Sequence, residues 1–175
     1  MDTVGLIHHT MGFAFQLLEQ VVSDLTQEQT DWMPPGNANP IGALYWHTVA
    51  YCDQLVHEWG MGQAPLRHSA GWQEKVVIAS PPENPEDPHW DLRNAREDLR
   101  VDLPALHDYA RATAQALKSW AAALTLEDMA HPMSTPIGDY RLDLWIEIFV
   151  IWHINAHCGE IAALKGCQGL KGYPW

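Results

Sequence analysis

Apolar side chains at Val4, Ile7, Met11, Phe15, Leu18 and Val22 recur at steps of three and four, the spacing of one helical face, so residues 3–22 are expected to form an amphipathic helix. Asp2 or Thr3 is placed to cap it. Residues 23–32 read as a short turn or helical fragment stopped by Met33-Pro34-Pro35-Gly36. At Asn39-Pro40 a second helix is expected, with Asn as cap and Pro at the first helical position, running over residues 40–59 and stopped by Gly60. Its stripe carries Leu44, His47, Ala50, Tyr51 and Gln54, while His57 falls about 80° round from His47, on the flank. Pattern then fails over residues 61–101, where prolines are scattered and only 72–78 and 91–99 suggest short ordered elements. A connection this long points to a crossover or a lid, and it allows the second and third helices to lie parallel. Leu106, Tyr109, Ala110, Thr113, Leu117 and Trp120 mark the third helix, opened by Asp102 and Pro104 and ending near Leu124. A short turn at residues 125–128 and a loop at 132–138 lead to the fourth helix over 142–165, closed by Gly166.

No segment alternates for long with period two, so the fold class is all-α: a four-helix bundle in a single domain over residues 1–175. The formal charge of −12 argues against nucleic acid or an anionic membrane surface as partner, since each selects a basic face. The first residues lack a basic segment followed by an apolar core, and no long apolar run is free of charge and histidine, so a cytoplasmic protein is expected. Cys52, Cys158 and Cys167 have no CxxC spacing and read as buried thiols.

Candidate chemistry lies in the fourth helix, apolar on nearly every side over residues 144–154 yet carrying His153 and His157. Residues four apart project from one face, so both imidazoles can reach one point, and Glu160 continues the stripe. With ten histidines in the chain, chance alone supplies about 0.6 such pairs, so spacing is weak as an argument by itself. It gains from the apolar setting, where an unpaired imidazole is costly, and from His47 on an equivalent inward stripe. Two readings stay open at this level: a metal held by His47, His153 and His157, or a hydrogen-bonded polar core.

The run Trp32-Met33-Pro34-Pro35-Gly36-Asn37-Ala38-Asn39-Pro40-Ile41 followed by His47 resembles the opening of the second helix in the DinB-like (DinB/YfiT) superfamily of metal-binding bundles. His153-Ile154-Asn155-Ala156-His157-Cys158-Gly159-Glu160-Ile161 resembles that family's fourth helix, and residues 169–175 are similar to a tail seen in many members. The resemblance implies up-down-down-up topology with the long crossover between helices two and three, often in a homodimer. It implies one divalent metal on His47, His153 and His157, and includes S-transferases and isomerases that use a low-molecular-weight thiol.

Three imidazoles with a fourth position left to water is the pattern of catalytic zinc, and zinc and nickel both suit such ligands. The metal can lower the pKa of bound water towards about 7 or hold a thiol as thiolate. An S-transferase or hydrolase acting on a small-molecule substrate is therefore expected, with a non-catalytic metal-binding or stress-response bundle as the alternative. Glu160 is a candidate acceptor from a ligand N–H, a general base or a surface carboxylate. His8 is a rival ligand with a structural role favoured; Trp46, Tyr51 and Trp152 are candidates to wall a small apolar pocket. His68, His89, His107 and His131 are expected to be solvated, and His57-Glu58 does not complete HExxH because position 61 is Met.

Overall fold

The computed structural model describes residues 2–79, 99–135 and 138–175. The element expected at 91–99 and His89 lie outside these, apart from Leu99. α1 spans Thr3–Val22, and of the two candidate caps Asp2 takes the role, its carboxylate accepting the Gly5 N–H at 2.9 Å. α2 (Gln27–Asp31) is closed by a capping box between Thr26 and Gln29. α3 (Ile41–Gln54) starts one residue later than its sequence suggests: Pro40 is itself the flanking residue, and no side chain caps the helix. The chain then continues through a π-helical turn, Leu55–Gly60. Gly60 does not end it in a left-handed conformation; that conformation falls on Gly62, at φ 65°. At Gly60 a Cβ would come 3.0 Å from the Trp120 ring, so a larger residue there would have to push that ring aside.

The connection is more structured than its prolines suggest. α4 (Leu66–Ser69) and α5 (Trp72–Val76) lead into β1 (Val77–Ala79), which pairs antiparallel with β2 (Arg100–Val101) immediately before the third long helix. That helix, α6 (Leu103–Ala123), is capped by Asp102 and has Pro104 in its first turn, as the sequence predicts. α7 (Leu126–Met129) carries a Thr125–Asp128 capping box. The stretch expected as a loop is instead a hairpin, β3 (Pro132–Thr135) with β4 (Gly138–Arg141). Strands this short escape a period-two search because two or three alternations do not rise above noise. α8 (Leu142–Ile146), a second π-helical turn (Glu147–Trp152) and α9 (His153–Cys167) form one continuous segment. It runs past Gly166, and the left-handed residue that turns the chain is Gly169, at φ 75°.

α1 packs against α6 and α9, and α3 packs against the same two helices. Met11, Val22, Trp46, Val49, Leu106, Leu117, Trp145, Ile154 and Ile161 have no solvent exposure, and together they form one continuous core. The last segment is not apolar-buried all round: Leu144 and Trp152 are 52 % and 65 % exposed, whereas Trp145, Ile146, Val150 and Ile151 turn inward. Among the described residues no helix is long and apolar enough to cross a membrane.

A buried polar cluster fastens the start of the crossover to α3. The Asp53 carboxylate has no solvent exposure and accepts the backbone N–H of Leu66 (2.9 Å), that of Arg67 (2.8 Å) and the Tyr109 hydroxyl (2.6 Å). His57 Nδ1 lies 2.8 Å from the same carboxylate. Far from being a flanking residue, His57 is buried. Burial alone would raise the Asp53 pKa, but bonds from His57, Tyr109 and the Arg67 and Leu66 amides outweigh it and hold the carboxyl below its usual value. Removing one member of a buried charged pair typically costs about 3–5 kcal/mol, and Asp53→Ala is expected to lose that much in urea unfolding at pH 7. Because the folded pKa is depressed, the carboxylate's contribution is present above the unfolded value of about 3.9 and lost as pH falls through the folded one. The stability gap between the parent and Asp53→Asn should therefore narrow on acidification; a gap constant from pH 7 to pH 3 would contradict this account.

Candidate metal centre

His47 on α3 and His153 and His157 on α9 converge, with one ligand atom from each within 4.8 Å of the others. Ring centroids are 5.1 Å apart for His47 and His153, 5.0 Å for His47 and His157, and 4.5 Å for His153 and His157. The sequence brings them together by two simple means. His153 and His157 are one turn apart, and α3 and α9 pack side by side with those faces opposed. The π-helical turn ends at Trp152, so the wider turn re-aims the helix just before its first candidate ligand.

The surroundings keep His47 and His153 neutral. Burial, followed by the nearby His157, lowers the His47 pKa to about 4. Burial, followed by His157 and His47, lowers that of His153 to about 2. His47 Nδ1 and His153 Nε2 are buried and lack a hydrogen-bond partner among the described residues. Each such orphaned polar atom costs about 1–3 kcal/mol, so the arrangement needs a further partner. The third ring differs: His157 Nδ1 lies 2.6 Å from Glu160 Oε2, which leaves Nε2 as its free nitrogen. Two neutral imidazoles with a buried nitrogen unpaired, beside a third oriented by a carboxylate, fit a divalent transition metal better than a self-sufficient polar core.

A model of the DinB superfamily matches residues 12–161. The chain belongs to the DinB superfamily. A crystal structure described as the conserved protein of a locus from Enterococcus faecalis superposes with a TM-score of 0.76 at 22 % identity, covering 94 % of this chain and 96 % of that one. At that identity the likeness supports the fold alone. No curated protein matches the chain.

In this DinB-superfamily chain the other candidates fall in different places. Tyr51 is at the trio, its ring stacked on His47 and tilted against His153. Trp46 is fully buried with its ring 5.4 Å from Tyr109, so it has no surface to give a pocket wall. Trp152 stands largely in solvent beside His153. His8 is exposed, because the inward stripe of α1 passes through Ile7 and Met11 and leaves the next residue about 100° off it. His107 is not simply solvated; its Nδ1 is 3.1 Å from the Tyr45 hydroxyl. Those two line a cleft of about 200 Å³ with Phe15, Glu19 and Arg111. Tyr45 and His47 point about 200° apart round α3, so this cleft belongs to the opposite face. Cys52 and Cys158 are buried free thiols, whereas Cys167 is exposed, against expectation. Burial pushes the Cys158 thiol up to about 12, which leaves it protonated and packed, not a ligand.

The Asp53 cluster is the main feature that pattern reading missed. The i,i+4 spacing of Asp53 and His57 was its available signal. At the trio, Glu160 is 3 residues from His157 and more than half exposed. Glu160→Ala is expected to weaken zinc binding about 10- to 100-fold by isothermal titration, the usual cost of losing an outer-shell partner, with little change in the thermal midpoint of metal-free protein. Unchanged zinc affinity would show that Glu160 does not orient His157.

Proposed function

We propose that this DinB-superfamily chain binds one zinc or nickel ion through His47, His153 and His157 and works as a metal-dependent enzyme of thiol S-transferase or hydrolase type. The observation that carries the reading is the pair of buried ring nitrogens on His47 and His153, unpartnered among the described residues, on rings whose centroids lie 5.1 Å apart across two helices. Bound there, the ion supplies Lewis acidity towards a water or a thiol. The chain's own contribution is preparation. His47 and His153 are held neutral by burial, ready to donate without first losing a proton. Glu160 holds the Nδ1 side of His157 and so presents Nε2. Three protein donors, not four, is the donor count of a site that keeps a position open for substrate. The reading includes an up-down-down-up order for the four long segments, a cytoplasmic homodimer, and a small-molecule electrophile used with a low-molecular-weight thiol.

The position of the trio, joining α3 to α9, also favours a second reading in which the metal is structural and the bundle non-catalytic. A metal bound only by the folded state adds RT ln(1 + [L]/Kd), about 4 kcal/mol at a thousandfold excess over Kd. The two readings are separated by activity. Zinc- or nickel-loaded protein is expected to consume 1-chloro-2,4-dinitrobenzene in the presence of glutathione or cysteine, or to hydrolyse p-nitrophenyl acetate, and His153→Ala to abolish it. Activity that survives His153→Ala would sink the enzyme reading. A loaded protein that is inert but markedly stabilised would favour the structural one.

A further inference from the structure

Among the described residues, two of the three imidazoles have no hydrogen bond to fix their planes. His157 has Glu160 at Nδ1, but His47 Nδ1 and His153 Nε2 are unpaired. The terminal torsion of a histidine is broad and roughly two-fold, so an imidazole without such an anchor takes its orientation from what packs on it. Besides the trio itself, His47 and His153 share one ring contact among the described residues, and it is with Tyr51. Tyr51 lies one turn beyond His47 on α3, with ring centroids 5.6 Å apart and planes inclined by 26°. The same phenol ring lies 4.4 Å from His153 on α9, inclined by 31°. One aromatic ring thus spans the helix interface and touches a candidate ligand on each side, stacked on His47 and tilted against His153.

We infer that Tyr51 is a positioning residue of the metal centre, fixing the planes of His47 and His153 by the packing of its ring on both, as Glu160 fixes His157 by a hydrogen bond. The inference rests on the metal-centre reading above. It assigns the role to the ring and not to the hydroxyl. A ring already seated in the metal-free protein removes the cost of ordering two imidazoles when the ion arrives.

The test compares the full-length parent with Tyr51→Phe, Tyr51→Leu and, as a second non-aromatic replacement, Tyr51→Met. Zinc affinity is read by competition with a chromogenic chelator, ligand geometry by the visible spectrum of the cobalt-loaded protein, and folding by circular dichroism without metal. Tyr51→Phe is expected to keep the parent affinity and cobalt bands. Tyr51→Leu and Tyr51→Met are expected to bind zinc about 10- to 100-fold more weakly, with shifted cobalt bands, while remaining helical. Parent-like affinity and spectrum in a folded Tyr51→Leu or Tyr51→Met would overturn the inference. So would a Tyr51→Phe as weak as either, which would transfer the role to the hydroxyl. A parent that binds neither zinc nor cobalt would overturn the metal-centre reading and the role of Tyr51 with it.

Discussion

Imidazoles taken out of water are driven towards the neutral form unless a carboxylate pairs with them, and their ring nitrogens must still find partners. At the meeting of α3 and α9 three of them are brought together in surroundings where burial drives two pKa values to about 4 and about 2. The local structure is arranged around that condition. Glu160 serves one ring, Tyr51 lies against the other two, and one ligand atom from each of the three lies within 4.8 Å of the others. A hydrogen-bonded core would have paired His47 Nδ1 and His153 Nε2 with neighbouring side chains or carbonyls. Their lack of such partners is the physical ground for reading the cluster as a ligand set.

The rest of the molecule keeps α3 and α9 in register. α1 and α6 pack across them, and Lys165 near the end of α9 is buried, donating to the Val21 carbonyl and pairing with Asp24. The Asp53 cluster holds the first turn of the crossover against α3 one and a half turns beyond His47. Trp46 and Trp72 both pack on Tyr109, whose hydroxyl reaches Asp53. The core beneath the site and the anchored crossover therefore share a residue. π-Helical turns follow α3 and precede α9, so each helix that bears the site has its regular phase interrupted beside it.

The long helices were legible because their stripes run for four or more turns, and α1 and α6 fall within one residue of the expected ends. The histidine trio was legible for a different reason: i,i+4 spacing needs only local geometry, and His47 joined the pair through its inward stripe, a link that the resemblance to a family then strengthened. What escaped depends on contacts distant in sequence. Asp53 with Leu66 and Tyr109, and β1 with β2, join residues whose partners no local pattern names. The π-helical turns escaped because a stripe counted at 3.6 residues per turn cannot show an inserted residue. Trp46 and Trp152 were misplaced because adjacency to a ligand in sequence means a turn of about 100° away from it on the helix.

Metal content measures the central claim most directly. Extensively dialysed, untagged parent and His47→Ala, each analysed by inductively coupled plasma mass spectrometry before and after adding back zinc or nickel, separate a ligand set from a neutral polar cluster. The account predicts about one zinc or nickel per chain in the parent and little in the variant. No stoichiometric metal in the parent even after reloading, or equal metal in both proteins, would contradict it.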